Sequence, residues 1–235
     1  MKKHISVLVL LMRGTIWKFI VLLILGTVAE YFFVRMSFGS PAERAVGSLP
    51  VKLVFFACFL LLSVLLWASG SDIGAKSSYT IRRLRIDERL VFAWQAVWNS
   101  CAYFILWAWQ AAVAVWLAQL SLAQLPAEYA GPQALMMAFY RADFLHALIP
   151  LLDSSVWVRN ALMVLGLGLT GALLPLRQRR GKRGLWIFVY AVFCAAIFPI
   201  STGDANGAGI STIVSVAVIA ASVALAVGSR EVRDE

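Results

Sequence analysis

The feature that most constrains this chain is its succession of apolar stretches, each close to the length needed to cross a bilayer and separated by short basic or Gly/Ser/Pro-rich segments. About 20 helical residues cross the ~30 Å hydrocarbon layer. In that layer only structures that satisfy their own backbone groups are viable. Six such stretches are expected, at about 15–36, 51–70, 90–119, 157–176, 185–200 and 210–228. Hydrophobic residues make up 61% and charged residues 14% of the 235 positions, too apolar a mixture for a chain that must cover itself with a polar surface. The expectation is an all-α polytopic membrane protein, a single transmembrane domain over 1–235, with no room for a soluble catalytic domain beside it.

Basic residues give the orientation. Lys2, Lys3, Arg13 and Lys18 precede or open the first stretch, and Lys76, Arg82, Arg83, Arg85 and Arg89 lie between the second and third. Arg177, Arg179, Arg180, Lys182 and Arg183 lie between the fourth and fifth, and Arg230 and Arg233 follow the sixth. Arg35, Arg44, Lys52, Arg141 and Arg159 fall on the opposite side or at its interface. Basic loops stay in the cytoplasm, so both termini and the segments 71–89 and 177–183 are expected inside. The net charge of +9 therefore reads as topogenesis and not as nucleic-acid binding. Lys2 and Lys3 before Ile5–Met12 resemble a signal peptide's first regions, but no small-residue cleavage site follows. That segment reads as an amphipathic, interfacial lead-in helix.

Helix packing is also readable. Gly166, Gly168 and Gly171 in the fourth stretch, and the Ala, Val and Ser of the sixth, allow close backbone approach. Both helices are expected inside the bundle. The external segment 120–156 carries Leu135, Met136, Phe139, Phe144, Leu145, Leu148 and Ile149, a spacing that suits an amphipathic helix on the outer surface.

Catalytic chemistry has few candidates. The sequence holds no phosphate-binding Gly-x-x-x-x-Gly-Lys-Ser/Thr motif. Its two histidines, His4 and His146, lie outside the expected spans, which disfavours a Ser–His site or a His-ligated metal. Gly207–Ser211 reads as a turn, and Cys58, Cys101 and Cys194 read as packing residues. An enzyme is not expected, nor a metal or cofactor in this chain.

Four polar residues inside the spans are candidates for a substrate pathway. Glu30 either touches substrate or an exit gate, or reaches water at the interface. Gln95, Asn99 and Gln110 run along the third span, with Gln95 and Asn99 one turn apart. They either line a pathway or hydrogen-bond between helices.

The segment between the second and third spans reads as a short cytoplasmic helix, with Tyr79, Ile81, Leu84 and Ile86 supplying an apolar side. Such a helix docks into a partner's groove or rests on anionic headgroups. The run Ser78-Tyr79-Thr80-Ile81-Arg82-Arg83-Leu84-Arg85-Ile86-Asp87-Glu88-Arg89-Leu90-Val91-Phe92, continuing through Trp94-Gln95-Ala96, resembles the second-to-third-span connection of bacterial ATP-binding-cassette (ABC) exporter permeases of the type-2 class. The resemblance implies six spans, both ends inside, and a location in the bacterial cytoplasmic membrane. It makes this connection a coupling helix, with Tyr79, Ile81, Arg82, Arg83, Leu84, Arg85, Asp87 and Glu88 meeting a separate ATPase subunit that holds ATP and Mg. It further implies a second permease copy, or a similar permease, as partner. The local match covers about twenty residues. This chain departs from the family in its outer loops, being short between the last two spans and long at 120–156.

The expected function is therefore the permease subunit of an ATP-driven exporter. An aromatic, weakly charged interior favours an amphipathic or hydrophobic cargo such as a peptide, antibiotic or lipid. The alternative is a non-transporting membrane scaffold or regulatory subunit that anchors a cytoplasmic partner.

Overall fold

The structure is a computed structural model that describes residues 2–70, 88–126, 133–151, 153–179, 182, 184–200 and 205–228. Among the described residues every regular element is a helix. They are α1 (Lys2–Met36), α2 (Ala42–Val46), α3 (Leu49–Gly70), α4 (Glu88–Ala123), α5 (Ala134–Arg141), α6 (Asp143–Leu148), α7 (Ser154–Arg179), α8 (Leu185–Ile197) and α9 (Ala205–Val227).

Among the described residues five stretches are long and apolar enough to cross a membrane: Leu8–Met36, Ala42–Ala68, Glu88–Ala123, Ser154–Gln178 and Gly207–Val227. By length and composition this is a multi-pass membrane protein. The stretch expected at 185–200 contains α8, whose 13 residues span about 20 Å at 1.5 Å per residue, short of the ~30 Å apolar layer.

Side-chain pairs fix the direction of each helix. α1 and α4 run parallel, because Trp98 Nε1 donates to Thr15 Oγ1 at 3.0 Å, Trp109 Nε1 donates to Thr27 Oγ1 at 2.9 Å, and Tyr31 stacks on Trp116 with centroids 6.0 Å apart. α7 runs against α4, with Trp157 beside Trp107 at one end and Gly168 against Ser100 further along. α8 begins near Trp67, which packs on Phe188, and ends with Phe198 against Phe55, Phe59 and Trp107. α9 returns, from Ser215 under Tyr190 to Val227 beside Arg89. The start of α4, the ends of α7 and α9 and the start of α8 thus share one end of the bundle. Leu173, Leu176, Ile187 and Ala226 cluster there with Trp67 and Phe92 packed against them.

Hydroxyl groups within this apolar bundle are satisfied by their own helices. Thr27 donates to the Leu23 carbonyl at 2.8 Å, Ser63 to Phe59 at 2.9 Å and Ser215 to Ser211 at 2.8 Å. Bonds of this i−4 kind let Ser and Thr sit among apolar neighbours without an unmet donor. After α1 the chain turns at Gly39, whose φ of 91° lies in the left-handed region that glycine enters freely.

Four expectations change on the structure. The lead-in at Ile5–Met12 is one continuous helix with the first span, and Leu11 is buried against the core. The segment 120–156 is not one surface helix. α5 does lie on the surface, with Met136, Met137 and Tyr140 exposed, but α6 turns inward and buries Phe144, Leu145 and Leu148. Phe144 meets Phe55 edge-on at 5.7 Å, and Trp107 Nε1 donates to the Leu148 carbonyl at 2.9 Å. α7 is interior, as its glycines imply, but α9 is peripheral. Its small residues Ala208, Ser211, Ser215, Ser222 and Ala226 form one buried face, while Ile210, Ile213, Val216 and Leu225 are exposed. Small residues mark where α9 touches the bundle, and they do not require contact all round. Finally, Arg159, expected on the outer side or at its interface, is fully buried. Its Nε and Nη2 donate to Asn160 Oδ1 at 3.1 and 3.0 Å, and Asn160 Nδ2 donates to the Ala147 carbonyl at 2.8 Å.

Candidate functional site

Gln95, Asn99, Tyr103 and Gln110 follow one another along α4 at intervals of four, four and seven residues, which places them on one helical face. All four are buried. The stripe faces α7 at one end and α1 with α3 at the other.

At the α7 end, Asn99 Nδ2 donates to the Gly168 carbonyl at 3.4 Å. The helices come this close because Gly168 lacks a side chain. A Cβ there would lie 2.8 Å from the Ser100 backbone nitrogen and would collide with its hydroxyl, and a Cβ at Gly171 would lie 3.0 Å from Asn99 Nδ2. In the middle, the Tyr103 and Ser63 hydroxyls pair at 2.7 Å across α4 and α3.

At the other end Glu30 of α1 sits with Gln110 of α4 and Cys58 of α3 around Gly26. A Cβ on Gly26 would meet Cys58 Sγ at 2.7 Å and Gln110 Nε2 at 3.8 Å. Glu30 is 1% exposed, so it does not reach water at the interface. Gln110 is its polar neighbour, yet no hydrogen bond of good geometry joins them. From Asn99 to Gln110 is about 17 Å along the helix.

Both Glu30 carboxyl oxygens, both amide atoms of Gln110, Asn99 Oδ1 and Gln95 Nε2 are buried without a hydrogen-bond partner. Apart from Ser48 Oγ, these are all the orphaned buried side-chain atoms found among the described residues. Natural folds rarely leave such groups unmet, because each costs about 1–3 kcal/mol. Their concentration on the four residues expected for a pathway is the most informative property of the site. Together they offer acceptors at Glu30 and Asn99, a donor at Gln95, and both at Gln110. No group of three or more His, Cys, Asp or Glu with metal-holding geometry occurs among the described residues.

The expected coupling residues Tyr79, Ile81, Arg82, Arg83, Leu84, Arg85 and Asp87 lie outside the described residues. Glu88 and Arg89 open α4, and Arg89 Nη2 donates to the Val227 carbonyl in the last turn of α9 at 2.9 Å. Two features escape the sequence reading. The Tyr103–Ser63 pair was signalled by Tyr103 falling one turn after Asn99. The Arg159–Asn160 pair was signalled by a charge beside an amide just inside an apolar stretch, where ionisable residues are rare.

No known protein family, curated protein or solved structure matches the chain.

Proposed function

We propose that this chain is the membrane-spanning permease subunit of an ATP-driven exporter. It works with a separate ABC-type ATPase that binds ATP and Mg, and with a second permease copy or a similar permease. α8 completes six crossings, which keeps both termini and the basic segments on the cytoplasmic side of the bacterial inner membrane. The polar stripe of α4, with Glu30, meets the polar part of an otherwise apolar cargo.

The observation that carries this reading is the set of orphaned atoms on Glu30, Gln95, Asn99 and Gln110. A closed structural bundle gains nothing by holding unmet donors and acceptors in one stripe. A pathway that opens between conformations gains groups ready to bind cargo or water. Force from an ATPase at 76–89 enters α4 directly, and the Arg89–Val227 bond passes it to α9. The resemblance at 78–92 supplies the ATPase as the partner's class.

The test is association and turnover. Coexpressed with its ATPase, the tagged chain should bring down the partner in fixed ratio and support ATP-dependent uptake into inverted vesicles. Tyr79→Ala with Leu84→Ala should abolish both while membrane insertion persists, because buried apolar anchors dominate such interfaces. Unchanged association in that double variant would remove the exporter reading. Association without any transport would favour the scaffold instead.

A further inference from the structure

Where α1 and α4 leave the apolar layer, a second site has formed from elements that the buried stripe does not use. The short helices α2 and α5 pack beside the end of α4 and leave between them a cavity of about 540 Å³. That volume falls in the range of small-molecule and lipid-headgroup sites, roughly 300–1,000 Å³. Its walls include Pro41, Leu122, Leu125 and Met137. Among the described residues the charged groups lining it are the Glu43 carboxylate and the Arg141 guanidinium, 3.6 Å apart. Glu43 is the more sheltered, its side chain 30% exposed against 62% for Arg141.

We infer that this outer cavity binds a zwitterionic amphiphile, with an ammonium at Glu43, an anionic group such as a phosphodiester at Arg141, and an apolar part against Leu122, Leu125 and Met137. At 3.6 Å the pair is looser than the 2.7–2.9 Å of a tight charge-assisted bond, so a ligand carrying both charges can insert between the partners and give each a new one. A ligand of a single charge satisfies one partner and strips the other, and the net charge of the pair is zero. The position agrees with this chemistry. The cavity lies at the ends of Leu8–Met36 and Glu88–Ala123 and at the start of Ala42–Ala68, which the orientation proposed above sets among the headgroups of the outer leaflet. The site stands on its own geometry and holds whether or not the chain exports.

The ligand has two possible sources, an outer-leaflet phospholipid or a soluble zwitterion, and one titration separates them. The purified full chain in dodecyl maltoside is titrated with phosphatidylethanolamine, phosphatidylglycerol or water-soluble glycerophosphoethanolamine, and occupancy is read by native mass spectrometry. The wild type should bind one phosphatidylethanolamine at least tenfold more tightly than phosphatidylglycerol. Glu43→Gln should bring the two lipids within twofold, and Arg141→Gln should weaken both. Neither change touches the packed interior, so both variants should elute like the wild type. Ala134→Trp, which fills the cavity, should weaken both lipids tenfold or more. Glycerophosphoethanolamine that displaces the lipid at equal concentration assigns the site to soluble zwitterions and overturns the apolar contact; its failure to compete assigns the site to the lipid and upholds the amphiphile. Equal affinity of the wild type for the two lipids would overturn the inference. So would an unchanged preference in Glu43→Gln and Arg141→Gln.

Discussion

Arg89 reaches from the first turn of α4 to the last turn of α9 and donates Nη2 to the Val227 carbonyl at 2.9 Å. The two residues are 138 positions apart, and the bond supplies a cation to carbonyls that a helix C-terminus leaves open. It joins the helix that follows the basic 71–89 segment to the peripheral helix of the bundle.

Arg89→Gln should loosen the end of α9. A hydrogen bond to a charged but exposed group is worth about 1 kcal/mol, so amide exchange in the last turn of α9 should quicken roughly fivefold while exchange in α7 is unchanged. Hydrogen–deuterium exchange in detergent reads both.

Gly168→Ala should destabilise the bundle by about 1–3 kcal/mol through overpacking. The new Cβ meets both the hydroxyl and the backbone nitrogen of Ser100. Adding Ser100→Ala removes the first contact and leaves the second, so the double variant should recover only part of the loss in a denaturant titration.

Asn160→Ala should cost about 3 kcal/mol. It removes the acceptor for Arg159 Nε and Nη2 and the donor to the Ala147 carbonyl, and bonds to charged groups are worth about 1.5–3 kcal/mol. Asn160→Asp keeps the acceptor and should cost less. Proteolysis within 143–153 should rise in Asn160→Ala, because Ala147 is the anchor point of α6.

Glu30→Gln should fold and assemble with a stability within about 1 kcal/mol of wild type. The change keeps the shape and removes no hydrogen bond, since neither carboxyl oxygen makes one. Transport should fall if Glu30 meets cargo. Retained folding with full transport would take Glu30 out of the pathway, and loss of the folded protein would show a structural role.

Stretches with long apolar runs were legible because length and hydropathy are one-dimensional properties, and the interior place of α7 could be anticipated from Gly166, Gly168 and Gly171. Which face a polar residue presents is not one-dimensional. Glu30 looked able to reach water from the outer part of its span, yet it shares a face with Phe19, Leu23 and Val34, all buried. α6 misled for a similar reason. The spacing of Phe144, Leu145 and Leu148 suited a surface helix, and His146 does pair outward with Asp153 at 3.1 Å, but Phe55 and Trp107 draw its apolar side into the bundle. Arg159 shows the same limit. Its burial depends on an acceptor at the next residue, Asn160, itself held by the Ala147 carbonyl of α6, and on the Ile200 carbonyl just beyond α8.

The brevity of α8 also bears on the surrounding bilayer. Its 13 residues are about 20 Å long, while α7 beside it, with 26 residues, is about 39 Å long. Leu185, Phe188 and Val189 face outward, so in the six-crossing arrangement proposed above lipid along this flank would meet a hydrophobic belt some 10 Å narrower than the usual hydrocarbon layer, and the leaflets would pinch there at a cost that grows with each ångström of mismatch. Two copies that lay these flanks together would share one dimple instead of making two. For the proposed pair of copies, membrane thickness itself would then act on their association, more strongly in thick bilayers than in thin ones.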